Sequence, residues 1–499
     1  LIGVHVVFLH FSIMIKQIKM HFKPLFLLLM VLSTIGSACT RSVNPDIERG
    51  SSYVFQPGFP EILASAVGFL DESDQGFIRV SAEIVKPSLI YRSLNDTSKA
   101  RLQMEIRVVG VTDPSFSRTV QESIDVLYNP LEQQADEIDT YERTLDVDPG
   151  RYTVTISITD LNSDKVSSTS ETTFIPNPEA PEDNLATIRM EGLQMDQEGQ
   201  APSFLPINSY DVPSKVDSLI FKTQLTSQSS ESPRWIQTRL LRFRADDSPA
   251  RPMQFNNYGN SSLPYKGIEF DEYDIIRQTD RVLQQEGSVL LEIPMNPLPR
   301  GNYRFEVQVF EGDQEPTEEQ ERLLYKAREF AVKSENYPFL RTPRELAEPL
   351  VYLMKEDEYE EMMRLEDPTQ LKEAVDRFWL SNVQSLSDAG LTLEKYYQRV
   401  EEANKQFSNF KEGWKTDVGM MYILFGQPWY VERQVNVMRW SYSFDRSDPE
   451  TNFIFEQPKV KNEFFPFNNY LLLRSQSYYS VYYRQLQLWL SGGILQRDL

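Results

Sequence analysis

The period of the hydrophobic pattern changes from two to 3.6 partway along this chain, and that change bounds the fold. Over residues 53–334 the period is two. Leu102, Met104, Ile106 and Val108 alternate with Arg101, Gln103, Glu105 and Arg107, and Tyr152, Val154, Ile156 and Ile158 alternate with Thr153, Thr155, Ser157 and Thr159. A strand with one buried and one wet face reads this way. At residue 342 the period becomes 3.6, so sheets come first and helices later. With 499 residues the chain is long enough for several cores.

The period-two region divides at Pro176-Asn177-Pro178-Glu179-Ala180-Pro181, a linker by composition, into blocks at 53–177 and 184–334. The second block repeats the ending of the first. Leu145-Asp146-Val147 followed by Pro149-Gly150-Arg151-Tyr152 is echoed by Leu291-Glu292-Ile293 followed by Pro299-Arg300-Gly301-Asn302-Tyr303. Two copies of strand, turn, Gly-x-Tyr, strand predict tandem all-β immunoglobulin-like sandwiches, with Tyr152 and Tyr303 at core or corner positions.

The helical region opens at Thr342-Pro343-Arg344-Glu345, an N-cap, a proline at the first helical position and a capping-box glutamate. A second helix begins at Asp367-Pro368 and aligns Leu371, Ala374, Val375, Phe378 and Trp379; a third, from Thr392, aligns Tyr396, Val400, Ala403 and Phe407. Beyond residue 417 the helical pattern stops, and Met420–Phe425 reads as a buried strand closed by Gly426-Gln427-Pro428. Residues 340–499 are therefore expected to be an α+β domain, making the chain multidomain. The aromatic closing stretch, with Phe464, Phe465, Tyr478, Tyr479, Tyr482, Tyr483 and Trp489, is expected to be β core or else a partner surface.

The chemistry is bounded by the N-terminus. The three histidines are His5, His10 and His21, and the one cysteine is Cys39. Lys16, Lys19 and Lys23, the apolar run Leu25–Leu32 and the small residues Gly36-Ser37-Ala38 form the three-part pattern of an export signal over residues 1–38. Residues 1–13 precede the start candidates Met14 and Met20 and read as an untranslated extension. The apolar run is far shorter than the roughly 20 residues that cross a bilayer as a helix. Gly36-Ser37-Ala38-Cys39 resembles the lipobox of bacterial lipoproteins, although Gly36 stands where Leu, Val or Ile is usual; that resemblance implies acylation at Cys39 and a polar tether over residues 39–52. A chain starting at Cys39 would carry no imidazole and no free thiol. Ser-His-Asp triads, Cys-His pairs and His-ligated metal sites are then excluded, and no disulfide can form. The formal net charge of −22 makes nucleic acid a poor partner.

Residues 413–417 read Gly-Trp-Lys-Thr-Asp, preceded by Arg377-Phe378-Trp379 and by Tyr397, Arg399, Val400, Ala403, Asn404 and Phe407; Gly419, Tyr422-Ile423, Gly426, Pro428, Trp440 and Tyr442 follow in order. In these residues the chain resembles the GWxTD domain family. The resemblance implies an exported, often lipid-anchored protein of a diderm bacterium, with β-rich modules ahead of the motif domain. Val418 and Met420 stand where the family is usually basic, and Trp429 where it is commonly acidic. Gly413, Trp414, Thr416, Asp417 and Gly419 suit a structural corner: glycine supplying positive φ, the indole covering a helix pair, Thr and Asp accepting backbone N–H groups. A sharper alternative makes Thr416 a nucleophile with Asp417 as base, but a carboxylate of ordinary pKa is a feeble base for a hydroxyl.

Acidic clusters at Asp271-Glu272-Tyr273-Asp274 and Glu356-Asp357-Glu358 lack EF-hand spacing and read as solvated charge. No P-loop or dinucleotide fingerprint is present, so neither metal nor cofactor is expected. The expected role is non-enzymatic: a lipid-anchored scaffold or accessory subunit of an outer-membrane assembly in transport, secretion or barrel biogenesis. It would be held by outer-membrane lipid through Cys39, face the periplasm or be displayed at the surface, and bind a protein complex through the GWxTD domain. The alternative is a carbohydrate-binding protein or carboxylate-dependent glycan hydrolase of the cell envelope.

Overall fold

The alternating stretches do form antiparallel sheets. The computed structural model describes residues 59–496 apart from 95–96, 129–137, 181, 195–202, 213–215, 228–231, 285, 318, 384, 444–450 and 459–466, together with two short strands, β1 (Ile47–Arg49) and β2 (Tyr53–Phe55). The export signal, Cys39, Phe464 and Phe465 lie outside the described residues.

The first block contains β3 (Glu61–Leu70), β4 (Gly76–Val85), β5 (Arg92–Leu94), β6 (Thr97–Gly110), β7 (Ser117–Tyr128), β8 (Ile138–Asp146), β9 (Gly150–Asp160) and β10 (Lys165–Ile175). One sheet has the order β3-β4-β8; the other runs β10-β9-β6-β5, with β7 also paired to β6. Ile78, Val80 and Ile84 from the first sheet meet Leu102, Met104, Ile106, Val108, Val154, Ile156 and Ile158 from the second in one core, so the predicted apolar face is the buried one.

The second block contains β11 (Asn184–Leu185), β12 (Arg189–Gln194), β13 (Ser203–Pro206), β14 (Asp211–Val212), β15 (Val216–Ser227), β16 (Arg234–Ala245), the single helical turn α1 (Leu263–Lys266), β17 (Ile268–Leu283), β18 (Gly287–Met295), β19 (Gly301–Glu311) and β20 (Leu324–Val332). A sheet β11-β15-β12-β13, with β18 on β15, shares a core with the sheet β14-β20-β19-β16-β17. Phe221 stacks on Phe305 across it, with ring centroids 4.2 Å apart. The repeated tyrosines occupy equivalent corners. The Tyr152 hydroxyl donates to the Asp148 carbonyl at 2.8 Å and that of Tyr303 to the Pro299 carbonyl at 2.6 Å, each four residues upstream.

The third region contains α2 (Pro343–Ala347), α3 (Glu356–Met363), α4 (Pro368–Asn382), α5 (Leu386–Phe407), α6 (Asp417–Phe425), the strands β21 (Tyr430–Arg433), β22 (Val437–Ser441), β23 (Asn452–Glu456) and β24 (Leu471–Leu472), and α7 (Tyr479–Leu490). The four strands pair in chain order. Thr342 and Glu345 form the predicted capping box, and Asp367 caps α4. The third predicted helix begins at Leu386 rather than Thr392, because Ser385 accepts the Asp388 N–H as its cap.

Two expectations fail here. Met420–Phe425 is helical, not a strand: the Thr416 hydroxyl accepts the Gly419 N–H and starts α6. Buried on nearly all sides, α6 is apolar all round, and so short a run has no period to betray it. The closing aromatic stretch is also helical where described. Tyr478, Tyr479, Tyr482, Tyr483 and Trp489 lie in or at the start of α7, not in β core.

Candidate functional site

The motif sits where α5, α6 and the second β block converge, and its geometry follows from close backbone approach. A Cβ on Gly413 would lie 1.8 Å from the Ala403 carbonyl oxygen of α5, and one on Gly419 would lie 1.8 Å from the Gly413 carbonyl oxygen. Neither glycine has a positive φ, so both are required for space and not, as expected, for a left-handed turn. The Trp414 N–H donates to Asn404 Oδ1 at 3.2 Å, its carbonyl accepts the Tyr352 hydroxyl at 2.8 Å, and its indole meets the Tyr352 ring edge-on.

Thr416 and Asp417 are both buried and occupied. The Thr416 hydroxyl donates to the Gly413 carbonyl at 2.8 Å while it caps α6. Asp417 accepts two hydrogen bonds from the Arg474 guanidinium, at 2.7 and 2.6 Å, and the Leu472 N–H at 2.7 Å. Burial opposes the charge on Arg474, but Asp417 holds it above its ordinary pKa. Arg474 also donates to the Arg251 carbonyl and lies over the Tyr258 ring at 4.4 Å, in the loop after β16. Burial, and then the charge of Asp417, push the Tyr258 hydroxyl up to about 12. Sequence reading missed Arg474, because its partner is 57 residues away and no local pattern marks it.

Around this pair lie further ionic contacts, the first two of them between the second β block and the loop after α5. Lys411 meets Asp246 at 2.6 Å, Arg300 meets Glu412, Lys415 meets Glu412 at 3.3 Å, and Lys333 meets Asp211 at 3.2 Å. Burial raises the Glu412 carboxyl, but Lys415, Arg300 and Lys333 outweigh it and hold the group below the usual range. Burial drives Asp211 up and Lys333 down, towards their neutral forms. Ala250 and Met253, from the loop after β16, belong to the helical core, so a boundary between 334 and 340 does not separate the cores.

The far end of α6 is closed by side chains as well. Arg399 donates to the Ile423 carbonyl, and Gln485 and Trp489 of α7 donate to that of Leu424. Trp489 is therefore core, and Tyr478 is buried against Phe453, whereas Tyr479 and Tyr483 are 65% and 52% exposed and stack on each other. Tyr482 is partly buried and donates to the Tyr352 carbonyl.

Space for a ligand lies beside the motif's helices, not at the motif. The cavity lined by Thr416, Gln406 and Trp440 holds about 40 Å³, enough for about three waters. A groove of about 980 Å³ runs between α5, α6 and the turn after α6, lined by Leu391, Glu394, Gln398, Glu402, Tyr422, Phe425, Trp429 and Tyr442. Trp429, where this chain departs from the family pattern, is 51% exposed on its rim. Among the described residues no group of three carboxylate, thiol or imidazole side chains is placed to hold a metal. The acidic residues 271–274 are exposed on β17, and Glu356, Asp357 and Glu358 form the first turn of α3, where their charge favours the helix N-terminus.

Among solved structures, a red sea bream transglutaminase is 9% identical, with 52% of this chain and 29% of that chain covered and a TM-score of 0.16. The native E. coli alpha-2-macroglobulin is 14% identical, with 56% and 16% covered and a TM-score of 0.17. A Salmonella alpha-2-macroglobulin mutant is 12% identical, with 56% and 17% covered and a TM-score of 0.17. The chain spans less than a third of each, and similarity this low assigns neither fold nor activity. No curated protein matches the chain. The family model described as the GWxTD domain matches residues 318–491, a span that begins before β20 and takes in every helix from α2 to α7, and the chain is thus a GWxTD domain-containing protein.

Proposed function

We propose that this chain is a non-enzymatic, lipid-anchored scaffold or accessory subunit of an outer-membrane protein assembly serving transport, secretion or barrel biogenesis. Its two β blocks act as immunoglobulin-like spacers, and the GWxTD domain docks the partner. One observation carries this reading: the motif side chains are all engaged in internal bonds, while the open groove beside them presents an exposed tryptophan. A rigid aromatic anchor in a half-polar cleft is what a protein interface uses. The anchor rests on Cys39, so Cys39→Ala is expected to move the protein out of the membrane fraction; unchanged fractionation would refute that part.

The groove also favours the second reading, a carbohydrate-binding protein or glycan hydrolase, because Trp429 and Tyr422 line it together with the carboxylates Glu394 and Glu402. Affinity purification after mild detergent extraction separates the two. Stoichiometric recovery with a barrel protein supports docking, whereas recovery alone together with retention on envelope glycans favours the second reading.

A further inference from the structure

The outer face of β4 carries Arg79, Ser81 and Glu83 in alternation, and all three are turned towards the second block. Arg79 approaches Glu191 of β12, and Ser81 donates to Asn208 Oδ1 at 2.8 Å. Glu83 accepts the Asn208 N–H at 3.0 Å. Ser65 of β3 donates to the same Asn208 oxygen at 2.6 Å. From β10, Glu171 accepts the Ala66 N–H at 3.1 Å. From β20, Arg328 reaches into this joint and donates to the carbonyls of Ile207, Asn208 and Ser209. The residues joining the blocks are thus mostly polar, and several are buried.

The charges in this joint do not balance. Among the described residues, Arg328 is a cation that acts on both Glu83 and Glu171. Glu329, next in sequence to Arg328, is answered by Arg304 at 2.9 Å. Glu142 of β8 is answered by Arg189, and Glu191 by Arg189 and Lys222. Glu61 of β3 lies on the same face and adds no positive charge. One buried carboxylate, Glu83, and one half-buried carboxylate, Glu171, beside a single guanidinium leave negative charge in excess unless a proton is kept.

We infer that the joint between the two β blocks is a protonation-gated hinge, held closed by a proton kept within the Glu83–Glu171–Arg328 cluster and loosened when that proton passes to solvent. Burial raises Glu83 to about 7, against the lowering pull of the Asn208 N–H and Arg328. Opened into water, the same group ionises near its ordinary 4.5. Closure is therefore fully favoured below about pH 4.5 and is weakened as pH rises to about 7, beyond which the effect levels off. From pH 5 to 7.5 the opening equilibrium should rise about fifty-fold.

Hydrogen exchange on the full chain tests this. The Asn208 amide, whose hydrogen bonds Glu83 across the joint, should lose about fifty-fold protection between pH 5 and 7.5 after correction for intrinsic exchange, while amides of α6 do not follow. Glu83→Gln should hold protection flat across that window. A flat wild-type profile would overturn the hinge without any variant. So would a Glu83→Gln profile that tracks wild type, and Glu171→Gln provides a second substitution if the first fails to fold.

Discussion

Two joints hold this molecule together, and they are charged in opposite senses. Between the β blocks, the buried Glu83 and the half-buried Glu171 share the Arg328 guanidinium. Where the second β block meets the GWxTD domain, three buried carboxylates each have a protein cation: Asp417 has Arg474 within the domain, while across the boundary Asp246 has Lys411 and Glu412 has Arg300, with Lys415 beside it. Burying charge is unfavourable in both places, so the difference lies in whether protein cations or a solvent proton supply the compensation. A joint closed by protein cations weakens in acid, whereas one closed by a kept proton weakens as pH rises.

The largest way to break this comparison is Arg474→Met. Asp417 would be left buried without a partner, and we expect a loss of about 3–5 kcal/mol, read as an early unfolding transition of the helical region in denaturant. Near-wild-type stability would mean that the second joint does not depend on its pairing. Trp414→Ala should cost a similar or slightly smaller amount, about 3–4 kcal/mol, by leaving a cavity against Tyr352, and should lower the melting temperature before any binding is affected. A stable Trp414→Ala protein that has lost its partner would instead make Trp414 an interface residue. Thr416→Ala removes the α6 cap together with the bond to the Gly413 carbonyl and should cost about 1–2 kcal/mol.

The smallest effect sharpens the contrast in sign. Glu412 is held below its ordinary pKa by its cations, so its contribution is present above about pH 4.5 and is lost as pH falls through the lower folded value. Glu412→Gln should flatten the acid limb of the stability profile and leave the Glu83 response between pH 4.5 and 7 untouched. A change in both limbs would show that the joints are coupled.

Much of this architecture was legible in the sequence because it is written locally. The alternation at 102–108 and 152–158, the Gly-x-Tyr corners and the caps at Thr342 and Asp367 each fall within a few residues of the element they specify. The misreadings share a different cause. Met420–Phe425 is surrounded by protein, so no polar face reveals its turn, and only the bond from Thr416 to Gly419 decides for helix. Residues 478–490 place bulky aromatics on both faces of α7, a composition as suited to sheet. Arg474, Lys411 and Glu83 act across contacts 57, 165 and 125 residues apart in sequence, beyond the reach of any local pattern. The groove was likewise invisible, although the departure at Trp429 marked one residue on its rim.

The sealed helix α6 has a consequence for how the pentapeptide should be used. A side chain at Gly413 or Gly419 would collide with a main-chain oxygen, and the open carbonyls at the C-terminal end of the helix are answered from segments far away along the chain. In this chain the whole enclosure is built around that signature. Meeting the same five letters in another polypeptide therefore forecasts a shape and leaves the trade of that polypeptide to be discovered from its outer walls.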